Sequence, residues 1–233
     1  IFPWQYVIFS ISLLSVIGGL LMFLLVPNGP YRKPSKRFDL TACFEVFKKP
    51  DFKAAAFGYF GHMWELYTFW AFVPFLLALH MELNHINILP VSLWSFWIIA
   101  IGGLACVLGG YVSLQKGTKT TAAIALGLSG LCSLLSPFFL SYASTPIFIV
   151  YLLFWGMMVI ADSPLFSTMV AQNASTEIQG TALTIVNCIG FAITILSLQF
   201  LNYLQDVIPH KFLFMVLALG PAVGLWNLFK KQS

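Results

Sequence analysis

Seven apolar runs follow one another along this chain, each close to the ~20 residues an α-helix needs to cross roughly 30 Å of hydrocarbon. They occupy residues 4–26, 54–79, 89–114, 120–141, 146–170, 180–204 and 212–228. In lipid every backbone N–H and C=O must find its partner within the protein, so lipid-facing runs of this length have to be helices. Composition agrees: 59% of the 233 residues are hydrophobic and 9% are charged, against about 25% charged in a soluble domain. Twelve basic and eight acidic side chains are too few to cover a water-facing surface. The expected fold class is all-α, a polytopic transmembrane helical bundle with the lipid bilayer as its partner.

One separator is long. It opens with Pro27-Asn28-Gly29-Pro30, continues through Arg32-Lys33-Pro34-Ser35-Lys36-Arg37, and offers a short amphipathic stretch over 39–47 before Lys48-Lys49-Pro50. The chain therefore divides into a first span (1–26), a basic linker (27–53) and six spans with short loops (54–233). Lys and Arg in short loops mark the cytoplasmic face. With the linker inside, its seven bases, Lys116 and Lys119 after the third span, and Lys230 and Lys231 at the end all fall on that face, and Lys211 falls outside. The net charge of +4 then encodes orientation rather than affinity for nucleic acid. The 171–179 loop, inside by the same alternation, has no base, and its Asn173-Ala174-Ser175 sequon reads as an accident of a cytoplasmic loop. The expected location is a bacterial inner membrane, with linker and C-terminus cytoplasmic. A span begins at Ile1 without a start methionine or a charged leader, so the chain reads as a fragment of something longer.

Cys43, Cys106, Cys132 and Cys188 form no C-x-x-C and have no histidine at metal-ligand spacing, so neither a disulfide framework nor a zinc site is expected. His80, Glu82 and His85 flank the outer loop after the second span, where histidines read as solvated rather than as metal ligands. No cofactor is expected.

One span, a basic cytoplasmic linker and six further spans make an arrangement similar to the major facilitator superfamily of secondary transporters, whose six-span halves are joined by a cytoplasmic linker. After the third span, Gly110-Tyr111-Val112-Ser113-Leu114-Gln115-Lys116-Gly117-Thr118-Lys119 resembles that family's cytoplasmic loop motif. Gly110, Gly117 and Lys119 are kept, while Leu114 and Gln115 replace its acidic and first basic positions. Glu177-Ile178-Gln179-Gly180-Thr181-Ala182 resembles the entry to family span eleven, with Gln179 where arginine is usual. The resemblance implies family spans six to twelve, that is, one span plus a six-helix C-terminal half-bundle, with the N-terminal half of the same chain as a missing partner. Independently of the family, Gly102, Ala105, Cys106, Gly109 and Gly110 place small residues at helical spacing on the third span, which permits close helix packing.

Mid-span ionisable groups are the informative exceptions, because each is costly unless it faces a partner or a polar cavity. Glu65 lies about eleven residues into the second span and Asp162 about sixteen into the fifth, both near the midplane. His62 precedes Glu65 by three and shares its helix face, so the two can exchange a hydrogen bond or a proton. Gly58, Gly61, His62, Glu65 and Thr68 make a small or polar stripe flanked by Tyr59, Trp64, Tyr67 and Trp70. These aromatics either wall a substrate pocket or fill lipid-facing surface. Pro164 frees the carbonyl of residue 160 and kinks the fifth span, so Asp162 either lines a cavity or caps the segment after the kink. Asn187 either reaches a cavity or bonds a neighbouring helix. The candidate substrate and proton site is therefore His62, Trp64, Glu65, Tyr67, Asp162 and Asn187, with no catalytic residue and no metal ligand assigned.

No lysine or arginine lies at mid-span. A retinal protein would need such a lysine, so that reading falls. An intramembrane enzyme would need a nucleophile with a paired base or a closed ligand set, and neither is present. A ligand-binding seven-span receptor is the alternative, disfavoured by the long linker. The function expected is secondary transport of a small solute by alternating access, coupled to protons. Without a cavity-facing base in these spans, neutral or cationic organic solutes fit better than anions.

Overall fold

The structure is a computed structural model and describes residues 3–27, 45–86 and 89–230. Seven helical segments among them are long and apolar enough to cross a membrane, and none of the described residues forms a strand. The chain divides into two units, residues 1–36 and 37–233. In the first, the described residues form one apolar helix, α1 (Trp4–Leu25). Most of the expected linker, including its first four bases, Cys43 and the 39–44 part of the amphipathic stretch, lies outside the described residues.

The second unit contains α2 (Pro50–Leu83), α3 (Val91–Lys116), α4 (Thr118–Tyr142), α5 (Thr145–Ala161), α6 (Ser163–Asn173), α7 (Gln179–Leu204), a 3-10 helix (His210–Ala218) and α8 (Leu219–Phe229). α2 starts before its apolar run because Pro50 is pre-set for the first helical position and Asp51 suits the first turn. It is the axis of the bundle, packing on α6, α7 and α8, while α3 lies against α5, and α4 joins α5, α8 and the 3-10 helix. Two apolar clusters meet along it. One holds Leu66, Phe69 and Leu76 with Phe148, Trp155 and Phe214; the other holds Phe52, Tyr59 and Met63 with Leu126, Phe166 and Val186. Residues 62–65 fall at their junction.

Small residues decide where these helices touch. A Cβ on Gly61 would run into the Gly220 carbonyl, and one on Gly220 into the Gly61 carbonyl, so α2 and α8 meet backbone to backbone. On α3 the small stripe works as its spacing implies: a Cβ on Gly102 would strike Ile160, one on Gly109 would lie 3.0 Å from the Ala161 oxygen, and the Cys106 thiol donates to the Ile160 carbonyl at 3.6 Å. Gly110 is outside this contact, with open space where its Cβ would be. Gly117 ends α3 at φ +82°, a conformation that favours glycine, and its N–H closes on the Ser113 carbonyl at 2.9 Å. Lys119 is exposed, its Nζ 5.9 Å from the centre of the Phe229 ring.

Two spans are interrupted. The fifth breaks at Asp162, between α5 and α6, because Pro164 has no N–H for the Ile160 carbonyl; that oxygen instead takes the Cys106 thiol and the Asp162 N–H. The seventh opens as nine residues of 3-10 helix, a longer run than the three or four residues usual for that tighter form. Pro221 has no N–H for the Leu217 carbonyl, and the Leu219 N–H is directed to the Leu217 and Val216 oxygens instead. His80 corrects the loop assignment: α2 continues to Leu83, and His80 is fully buried, stacked on Phe148 at 4.1 Å, with Nδ1 3.2 Å from the Asn84 amide nitrogen. A flat ring that can stack on a buried aromatic is worth extending the helix for. His85 remains exposed.

Candidate functional site

Glu65 is completely buried at the cluster junction. Its carboxyl oxygens are each bonded by a different helix: the Trp155 indole N–H of α5 donates to Oε1 at 2.8 Å, and the Ser129 hydroxyl of α4 lies 2.7 Å from Oε2. Both partners are neutral. Every described lysine is exposed, so no ammonium lies in the bundle interior among the described residues.

His62 does not pair with Glu65, although the three-residue spacing puts them on one helix face. Its Nδ1 lies 2.8 Å from Oδ1 of Asp162, both side chains essentially inaccessible. A fully buried carboxylate at a helix break needs a partner more than Glu65 does, because Glu65 already has two donors. The contact has the distance of an ion pair, yet the oxygen lies off the direction of an aligned hydrogen bond. His62 Nε2 and Asp162 Oδ2 have no hydrogen-bond partner among the described residues. Asp162 makes no side-chain cap to α6, so its carboxyl is committed to His62 rather than to the helix end. Phe166 and Tyr59 close the sides of the imidazole, with ring centres 6.3 and 5.9 Å away.

The other residues singled out in the sequence are not drawn into these two centres. Trp64 turns to the opposite side, donating its indole N–H to the Val216 carbonyl at 3.3 Å. There it helps line an apolar groove of about 330 Å³ with Phe57, Phe60, Leu196 and Val223. Tyr67 packs on Trp70 and Phe191, at 5.4 and 5.6 Å between ring centres. Asn187 is half-buried on α7 and takes no hydrogen bond among the described residues, so it is not what ties α7 to the bundle. Thr194 and Ser197 do that, donating to the Met63 and Trp64 carbonyls at 3.0 and 2.6 Å. Asn187 lies seven residues before Thr194, two turns away on nearly the same face of α7, so depth along the helix rather than face separates it from the Met63 and Trp64 carbonyls.

Ser129 and Trp155 are the partners that sequence reasoning missed. Each leaves a signal. Ser129, Ser133 and Ser136 recur at four and three on α4 and are fully buried, a polar stripe in an apolar helix that needs something to face. Trp155 lies mid-span, whereas membrane tryptophans favour the interface, and a buried indole N–H requires an acceptor.

No curated protein matches the chain. The family model for the Major Facilitator Superfamily matches residues 1–198, which takes in α1 and the bundle through most of α7 and so includes both buried carboxyl centres. The chain is a multi-pass integral membrane protein and belongs to the Major Facilitator Superfamily, a family of secondary transporters.

Proposed function

We propose that this chain serves proton-coupled transport of a small neutral or cationic organic solute, with Glu65 as the group that carries the proton. The observation behind this reading is the Glu65 environment: a fully buried carboxyl whose two partners are neutral, with no buried ammonium among the described residues. A carboxylate held this way is expensive, and a proton removes the cost. His62 sits about one helical turn away on α2, about 4.5 Å along its axis, with Asp162 at its Nδ1. Together they form a neighbouring centre that can receive or hand on the proton.

Alternating access would expose Glu65 to one side and then the other, with the linker and C-terminus on the cytoplasmic face. The Glu65→Gln variant tests the coupling in vesicles carrying the protein. Uptake driven by a pH gradient is expected to be lost while solute exchange without a gradient persists; gradient-driven uptake equal to that of the wild type would exclude Glu65 as the carrier. A cysteine introduced at Ser35 is expected to react only with a reagent delivered to the cytoplasmic side, and labelling from outside would reverse the orientation.

A further inference from the structure

Ser129 has one hydroxyl proton and two acceptors in reach. Its Oγ is 2.7 Å from Glu65 Oε2 and 3.0 Å from the carbonyl oxygen of Leu126, one turn back on its own helix. The hydroxyl is fully buried. A hydroxyl donates once and accepts twice. Two arrangements therefore satisfy every polar atom, and they differ by one proton on Glu65.

When Glu65 is ionised, Ser129 donates to Oε2 and Trp155 donates to Oε1. The Leu126 carbonyl then keeps only the backbone N–H that a continuous α-helix brings to it. When Glu65 is protonated on Oε2, the acid O–H donates to Ser129 Oγ, and the serine hydrogen rotates about the Cβ–Oγ bond to the Leu126 carbonyl. Trp155 stays on Oε1 throughout. One proton enters at Oε2, one hydroxyl hydrogen changes acceptor, and no buried polar atom of this set is orphaned in either state.

We propose that Ser129 is the positioning residue that lets Glu65 gain and lose its proton inside the bundle, by switching its hydroxyl between the Glu65 carboxyl and the Leu126 carbonyl. The proposal rests on the reading of Glu65 as the proton carrier. Trp155 cannot take this part, because an indole N–H only donates. Among the described residues, the other titratable groups facing Glu65 are Cys132 of α4, Tyr151 of α5 and Asp162 at the α5–α6 break, with His62 on its own helix. Tyr151 is occupied, donating to the Cys132 carbonyl at 2.6 Å, and Asp162 is paired with His62.

The test is infrared difference spectroscopy between acidic and alkaline pH on the full chain in lipid vesicles, with pH-driven uptake measured alongside. The wild type should show a carboxylic acid C=O band that Glu65→Gln removes. Ser129→Ala should displace that band, because the acid O–H loses its acceptor, and should slow pH-driven uptake by about tenfold, the scale of one lost hydrogen bond to a charged group. Ser129→Thr, which keeps the hydroxyl, should return the band to its place. If Ser129→Ala does not fold, Ser129→Cys makes the same comparison with a weaker donor and acceptor. A band unmoved by loss of the hydroxyl overturns the role of Ser129 and leaves Glu65 as the carrier. A band that survives Glu65→Gln overturns both.

Discussion

Glu65 and Asp162 are both completely buried, yet they are stabilised in opposite ways. Asp162 has a partner able to carry charge, His62 at 2.8 Å, but its second oxygen and the far nitrogen of the ring have none among the described residues. Glu65 has no such partner among the described residues, yet both of its oxygens are matched. Burial by itself does not say what a carboxyl is for; the character of its partners does. A pair in which each member is the other's polar partner resists the loss of either one. A carboxyl among neutral donors can exist in two protonation states with little rearrangement.

That contrast predicts a ranked set of losses. Asp162→Ala should destabilise the protein by about 3–5 kcal/mol, the usual consequence of stranding one member of a buried ion pair. Thermal unfolding in detergent would measure it, and replacing both His62 and Asp162 with leucine should recover much of the loss. Trp155→Phe should cost about 1–3 kcal/mol by the same measurement, because Oε1 of the fully buried Glu65 loses its donor. Glu65→Gln should cost about 1 kcal/mol or less. Its amide oxygen still accepts from Trp155, and its amide N–H donates to Ser129, which turns to Leu126 as it would for a protonated acid. A cost for Glu65→Gln as large as that for Asp162→Ala would erase the distinction between the two centres. The smallest change is Cys106→Ala, at about 0.5 kcal/mol, since a thiol is a weak donor and the Ile160 carbonyl keeps its Asp162 N–H. A much larger loss would mean that this thiol holds the helix break, and with it the position of Asp162.

Much of this molecule is legible in one dimension. The apolar runs locate all seven spans to within a few residues, apart from the extension of α2 at both ends, because a lipid environment imposes a length and a polarity that no soluble core imposes. Pro164 marks the break in the fifth span, since a missing N–H acts locally. The small stripe on α3 marks a close contact, although Gly110 does not take part in it. The partners of the buried groups are another matter. His62 and Glu65, three residues apart, look made for each other, and each is claimed by a different helix instead. His80 reads as a loop residue and is a stacked core ring, because Phe148 is 68 positions away in the chain.

The sequence by itself determined the membrane, the number of spans and which ionisable groups are trapped at depth. These follow from the cost of exposing polar atoms to hydrocarbon, which is paid residue by residue. Only the tertiary structure decided that Asp162 belongs to His62 and that Glu65 belongs to Ser129 and Trp155. A hydrogen bond depends on direction and on distances of about 3 Å, and those are set by how the helices lie against one another rather than by spacing along any one of them.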